Sequence, residues 1–157
     1  MPENRYWLFK SEPNAYSFDD LTNEPDGWAE WDGVRNYQAR NSMRDDMKVG
    51  DGILFYHSNA KPLSIVGVAS VVREGYDDFH GLDPDDQHYD PKATQENPIW
   101  SMVDIKAERN LPNPVTLDDI KANPKLKDML LIRKGMRLSI QPVTKEEFDE
   151  VVSMGGA

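Results

Sequence analysis

The chain has 157 residues, a formal charge of -10 and no cysteine. That length buries a full core, and the missing thiols exclude disulfides, thiolate metal sites and cysteine nucleophiles. The acidic surplus argues against a general nucleic-acid binder, which presents a basic face to phosphates, so affinity for a polyanion has to come from a specific pocket. The amino terminus, Met1-Pro2-Glu3-Asn4-Arg5, carries no apolar leader, and no run approaches the roughly 20 apolar residues that span a bilayer. The expectation is a soluble, cytoplasmic protein with no membrane partner.

Arg5 to Lys10 is aromatic and β-prone, a first strand ended by Ser11-Glu12-Pro13-Asn14. Ser17 with Asp20 three residues on has the shape of a capping box and predicts a short helix that ends near Glu24-Pro25-Asp26-Gly27. Then comes Trp31-Asp32-Gly33-Val34-Arg35-Asn36-Tyr37-Gln38-Ala39-Arg40-Asn41. A glycine turn followed by that density of aromatic, amide and guanidinium groups suits recognition of an unstacked nucleobase, because rings stack on its face and amides read its edges. The plainer reading is a turn and a helix with a solvated face. From Tyr37 to Met47 the spacing of Ala39, Met43 and Met47 predicts a helix.

Ile53 to His57 is a strand leaving the Val49-Gly50-Asp51-Gly52 turn, and Ser64 to Val72, apolar or small on both faces, is the strongest strand. Asp77 to Pro98 is acidic, proline-punctuated and without period, a long surface excursion. Ile99 to Ala107 alternates and resumes the sheet. Thr116 opens a capped helix, a second short helix starts near Pro124-Lys125, Met136 to Val143 is a last strand, and Thr144 with Glu147 forms a capping box for a closing helix carrying Phe148, Val151 and Val152. The fold class expected is α+β: one domain over residues 1–157, a barrel-like, mostly antiparallel sheet decorated by short helices.

Catalytic signatures are missing. There is no Gly-rich phosphate loop, no Gly-x-Ser-x-Gly elbow, and no pair among His57, His80 and His88 has the spacing of a helical zinc site. Asp83, Asp85, Asp86 and Asp90 lack the glycine and distal glutamate of a calcium loop and read as a solvated acidic segment. His57 and Ser58, adjacent in a strand, point to opposite faces and cannot act as base and nucleophile there. No metal ligand, catalytic residue or cofactor is assigned. The balance favours binding over catalysis.

Several blocks in order, Tyr6-Trp7-Leu8-Phe9-Lys10-Ser11-Glu12-Pro13, the Trp31 to Asn41 segment, Gly50-Asp51, Phe55-Tyr56-His57-Ser58, Ile65-Val66-Gly67-Val68-Ala69, Trp100 and Arg137-Leu138-Ser139-Ile140-Gln141-Pro142-Val143, cover nearly the whole chain. Together they resemble the EVE-domain family. The resemblance implies a PUA-like β-barrel, akin to the YTH readers of methylated adenine. It also implies a non-catalytic reader of a modified base in DNA or RNA, modified cytosine in particular, with modified nucleic acid or a nucleoside as the partner.

On that pattern the pocket is expected where the end of the first strand meets the Gly33 turn. Lys10 is a candidate for a phosphate and Ser11 for a base edge. Asn36 with the backbone of Val34 would read the Watson–Crick edge. Trp31, Tyr56 and Trp100 are candidates for stacking, Ser58 and Ser139 for further hydrogen bonds, and Arg35, with Arg40 and Arg44, for a basic rim. Each has a plainer reading: Tyr56 and Trp100 as barrel filling, Asn36 as a turn cap, Arg40 and Arg44 as a solvated helix face, Ser139 as an ordinary strand serine, and Arg137 as an ion-pair member. Trp7, alternating in an aromatic strand, reads as core. A small-molecule or nucleoside sensor using the same pocket, an enzyme of nucleic-acid modification and an interaction module without a ligand are the alternatives. Oligomeric state is open, since no heptad or apolar helix face announces a dimer.

Overall fold

Alternation in the first strand decides the architecture. In β1 (Tyr6–Ser11), Trp7 and Phe9 point to one side and Leu8 to the other, and all three are buried. The same holds in β3 (Gly52–His57), where Ile53 and Phe55 oppose Leu54 and Tyr56. Side chains alternate along a strand, so a sheet with apolar residues on both faces needs a cover on each. The computed structural model, which describes residues 4–136 and 138–157, has both. Arg137 and Met1 to Glu3 lie outside the described residues, so the reading of Arg137 and most of the amino-terminal stretch fall there.

One cover comprises α1 (Phe18–Thr22), α2 (Tyr37–Asn41) and a π-helical turn over Ser42–Asp46. They bring Phe18, Leu21, Ala39, Met43 and Met47 against Trp7, Phe9, Ile53 and Phe55. The opposite cover comprises α3 (Leu117–Ala122), two single 3-10 turns at Pro124–Leu126 and Leu130–Ile132, and α4 (Lys145–Met154). These bury Ile120, Leu126, Phe148 and Val151 against Leu8, Leu54 and Tyr56. Both expected capping boxes at Ser17 and Thr144 form, Asp20 filling the place a glutamate usually takes in the first. A third closes on Thr116 with Asp119.

The remaining strands are β2 (Ala29–Trp31), β4 (Ser64–Asp77), β5 (Ser101–Thr116) and β6 (Ile140–Val143). The sheet order is β2-β5-β4-β3-β1-β6, with β1 and β3 parallel and every other pair antiparallel. The α+β, PUA-like expectation holds, but the barrel does not close: β2 and β6 are edges, and among the described residues no ladder joins them. β2, of three residues, pairs with β5, and β6, of four, pairs with β1.

Other elements depart from expectation for local reasons. The helix expected over 37–47 ends at Asn41, where the Met47 N–H reaches back to Ser42 O at 3.0 Å, one residue beyond the α-helical partner. The apolar side is kept nonetheless, with Ala39, Met43 and Met47 all buried. The strand expected over 99–107 begins at Ser101 and runs on to Thr116 past Pro112 and Pro114. These prolines fall where the β4–β5 register jumps, Ile65 facing Val115 but Gly67 facing Asn110, so no ladder donor is missed. β4 outlasts its apolar run because backbone pairing to β5 continues, Tyr76 facing Met102. The last strand starts at Ile140 rather than Met136. Among the described residues no helix is long and apolar enough to cross a membrane.

His57, at the end of β3, ties the first cover to the sheet. Its Nε2 accepts the Phe18 N–H at 3.1 Å, so the ring is needed neutral, and burial lowers its pKa despite the nearby Asp19 carboxylate. The unfolded state then binds more protons than the folded state once pH drops through the ordinary imidazole range near about 6.5, and stability falls with it. Thermal melts at pH 7.5 and 5.5 test this: wild type is expected to lose more stability between them than His57→Gln, and equal losses would contradict it.

Candidate functional site

The open seam of the sheet holds a cleft of about 690 Å³. One wall comes from the end of β1 and the approach to β6: Lys10, Ser11 and Ser139. The other comes from edge strand β2 and the turn after it, Ala29 to Arg35. Tyr16, Glu24, Asp26 and Trp28 from the connection around α1 form the floor and rim, and Gln87 and His88 of the acidic excursion complete it. The 77–98 segment thus contributes to the cleft wall at Gln87 and His88.

Aromatic packing sets its depth. Trp31 rests on Phe9 at 5.3 Å and on Phe55 at 5.5 Å between ring centroids, with Tyr16 edge-on at 6.1 Å. One edge of the indole is thus anchored in the core while the residue stays half-buried and faces the cleft. Trp28 is 40% exposed at the rim, unusual for so large a ring.

The turn between β2 and α2 is held by one carboxylate. Asp78 is fully buried; its Oδ2 accepts the Gly33 N–H at 3.0 Å and the Arg35 Nη1 at 3.0 Å, and its Oδ1 accepts the His80 N–H. Gly33 has φ of +77°, and a Cβ there would meet the His88 ring at 2.5 Å, so glycine is required twice over. Arg35 also donates to His88 O and lies over the Trp100 ring at 5.3 Å. Its guanidinium thereby joins the β2 turn to the excursion.

Charge inside the cleft is mostly negative. Glu24, Asp26, Glu30 and Asp32 line it against Lys10 and Arg35, and Arg35 is engaged by Asp78. Burial lowers the Lys10 pKa. The Tyr16 pKa is raised well above its ordinary value, first by burial and then by its hydrogen bond to Glu24 Oε1 at 2.5 Å. Ser11 Oγ donates to Tyr16 O. These groups offer a donor, several acceptors and an aromatic surface, and among the described residues no serine is hydrogen-bonded to a histidine.

Of the residues singled out from the sequence, the fold brings Lys10, Ser11, Trp31, Val34, Arg35 and Ser139 around this cleft. Asn36 sits just beyond it as the cap of α2, its Oδ1 accepting the Ala39 N–H at 3.0 Å. Tyr56 is on the opposite face of the sheet from Trp31, 3% exposed in the second core. Ser58 continues the β1–β3 pairing through its N–H to Ser11 O. Trp100 is buried behind the cleft wall, stacked on Tyr37 at 5.0 Å with its Nε1 donating to Asp90. Arg40 donates to Ile99 O and Arg44 to Asp45, and neither lines the cleft.

Tyr16, Trp28, the four carboxylates and His88 were not singled out. Only Trp28, a large aromatic between a glycine and an acidic turn, left a signal in the sequence. The others depend on how the excursion folds back. No metal ligand was assigned from the sequence, yet Asp32, His80 and Asp86 gather with ligand atoms within 4.8 Å of one another. Burial and Asp104 both act on Tyr76, whose pKa is raised, in the strand pairing just behind that cluster.

An EVE-domain family model matches residues 5–154. Human thymocyte nuclear protein 1 is 41% identical over 166 residues, which is 95% of this chain and 73% of that protein. A hypothetical protein from Leishmania major superposes with a TM-score of 0.90 at 46% identity, covering 98% of this chain and 96% of that one. The human THYN1 protein solved in complex with 5-methylcytosine-containing DNA superposes with a TM-score of 0.90 at 40% identity, covering 98% of this chain and 99% of that one.

The Asp78 knot sets a stability expectation. Removing one partner of a buried pair leaves the other uncompensated and costs about 3 kcal/mol, so Asp78→Ala should lower the unfolding free energy by about that amount in urea denaturation. Asp83→Ala, on the exposed part of the excursion, should stay within about 0.5 kcal/mol. Equal effects from the two would contradict the knot.

Proposed function

The chain belongs to the EVE-domain family, and we propose that it is a non-catalytic reader of modified cytosine in DNA, 5-methylcytosine above all. In this reading the base leaves its stack and enters the cleft at the open seam of the sheet, and residues 1–157 act as one domain. The observation that carries the reading is the lining: an aromatic wall with one amine and several carboxylates, in a chain whose relative was solved on 5-methylcytosine DNA.

The chemistry suits cytosine. Its 4-amino group is a donor, matched by carboxylate acceptors such as Glu30 or Asp32. Its O2 and N3 are acceptors, matched by Lys10. Thymine places a carbonyl where cytosine has the amine, so the same carboxylate would face an acceptor and reject it. Trp31 and Trp28 supply stacking of roughly 1–3 kcal/mol per base. This offsets the few kcal/mol needed to extrude a base from a duplex, and less is needed in a single strand. The methyl group itself contributes only about 0.8 kcal/mol, roughly a fourfold preference. Polar matching selects the base, and a small apolar contact selects its modification.

The acidic lining and the net charge of -10 favour a second reading, a sensor of the free modified nucleoside. Such a ligand brings no phosphates into the field of Glu24, Asp26, Glu30 and Asp32. Location in the cytoplasm belongs to the proposal, and the word nuclear in the relatives' name belongs to those relatives.

Fluorescence anisotropy with labelled DNA and RNA oligonucleotides carrying 5-methylcytosine, cytosine or thymine at one position tests the reader. The expected order is 5-methylcytosine over cytosine by roughly fourfold, cytosine over thymine by more, and a loss of about tenfold in Trp31→Ala. Equal affinity for all three bases, or binding that vanishes with salt, would leave only counterion attraction and sink the reading. Competition by 5-methyl-2′-deoxycytidine at the affinity of the oligonucleotide would favour the nucleoside sensor.

A further inference from the structure

We propose that Asp32, His80 and Asp86, with His88 next to them, form a binding site for one divalent transition-metal ion, Zn²⁺ by its ligand chemistry, that staples the acidic excursion to the end of β2. The ligand atoms of Asp32, His80 and Asp86 lie within 4.8 Å of one another. His88 Nδ1 adds to them at 3.1 Å from Asp32 Oδ2 and 3.8 Å from Asp86 Oδ1. His80 Nδ1 is 3.0 Å from Asp86 Oδ2, and its Nε2 is 3.9 Å from Asp32 Oδ2. Bonds of about 2.1 Å in a tetrahedral site set ligands roughly 3.4 Å apart, so Asp32, His80 and Asp86, with one ligand atom each within 4.8 Å of the others, would draw closer around one ion.

The surroundings suit an ion. With His80 Nδ1, the nitrogen beside Asp86, on the metal, Nε2 keeps the Glu30 carboxylate at 3.0 Å. A carboxylate behind a ligating imidazole fixes its tautomer and orientation. Among the described residues no lysine or arginine pairs with Glu30, Asp32 or Asp86; their recorded ion-pair partners are the two histidines. Three carboxylates thus share two imidazoles, a local excess of negative charge that a dication balances. His88 is held in place from behind by contact with Gly33, and its backbone carbonyl is held by Arg35.

Ligand type selects the metal. Two imidazoles are poor ligands for Ca²⁺ and Mg²⁺, which take oxygen, and the chain has no thiolate. A mixed nitrogen and oxygen set suits Zn²⁺ and its neighbours. One ligand comes from the exit of β2 and two from the excursion, so the ion would cross-link them. Asp32 and His88 also line the cleft, and the ion would fix that wall. With Asp32 on the ion, the acceptor for a base's amino group falls to Glu30, and ion binding is measured without nucleic acid, so it is tested apart from the proposed reading.

The test uses the full chain stripped with EDTA and desalted. Calorimetric titration with ZnCl₂ is expected to give one ion per chain, with a rise in melting temperature that MgCl₂ does not reproduce. Asp86→Asn and His80→Gln should each weaken Zn²⁺ binding at least tenfold. Wild type with no saturable Zn²⁺ binding would overturn the proposal, and so would folded variants that bind as wild type does. If a variant fails to fold, Co²⁺ bound to wild type decides. A d–d spectrum of a low-coordinate site with nitrogen ligands supports the assignment, and the spectrum of hydrated Co²⁺ overturns it.

Discussion

A sheet buried on both faces whose edges do not meet is the constraint from which the rest follows. Because β1 and β3 carry apolar residues on each side, helices must cover both faces, and none is left to seal the gap between β2 and β6. The gap is lined by the ends of strands, where side chains have finished packing and polar groups are available. Closing it with a longer β2 would give a tighter barrel and no cleft. The chain instead fills the seam with a turn, Gly33, and an acidic excursion that folds back against it.

That filling is polar, and its stability rests on satisfied hydrogen bonds. Asp78 is the anchor: a buried carboxylate with donors from Gly33, Arg35 and His80. Burying such a charge is costly unless it is paired and fully bonded, and here it is. Arg35 converts that anchor into a link between β2 and the excursion by donating to His88 O as well. Trp100 lies under the same guanidinium and donates to Asp90, so an apolar ring and an acidic loop are joined by one set of contacts. Asp78 and Trp100, which hold this wall through Arg35, do not themselves line the cleft.

Much of the frame was legible in the sequence because it is local. The capping boxes at Ser17 and Thr144, the Ala39–Met43–Met47 spacing and the aromatic first strand each depend on residues within a few positions. The EVE-type blocks supplied the family and the general position of Lys10, Ser11 and the Gly33 turn. What escaped depends on contacts distant in sequence. Tyr56 and Trp31 lie on opposite faces because Phe55 packs on Trp31 and strand alternation turns Tyr56 away. The open sheet depends on strand pairings distant in sequence, which periodicity does not reveal. The gathering of His80 and Asp86 with Asp32 comes from a segment with no period at all, where no spacing rule applies.

The central claim is that the seam of the sheet receives the modified base against Trp31 and Trp28. The chain's four tryptophans make it directly measurable. Trp7 Nε1 donates to Asp51 and Trp100 Nε1 to Asp90, while Trp28 and Trp31 line the cleft. In ¹⁵N-correlated NMR spectra, each indole N–H gives its own resonance. Titration with a short single-stranded DNA carrying one 5-methylcytosine should shift the Trp28 and Trp31 indole signals saturably and leave that of Trp7 in place. Unmoved Trp28 and Trp31 signals in the presence of saturating, bound DNA would place the base elsewhere and contradict the account.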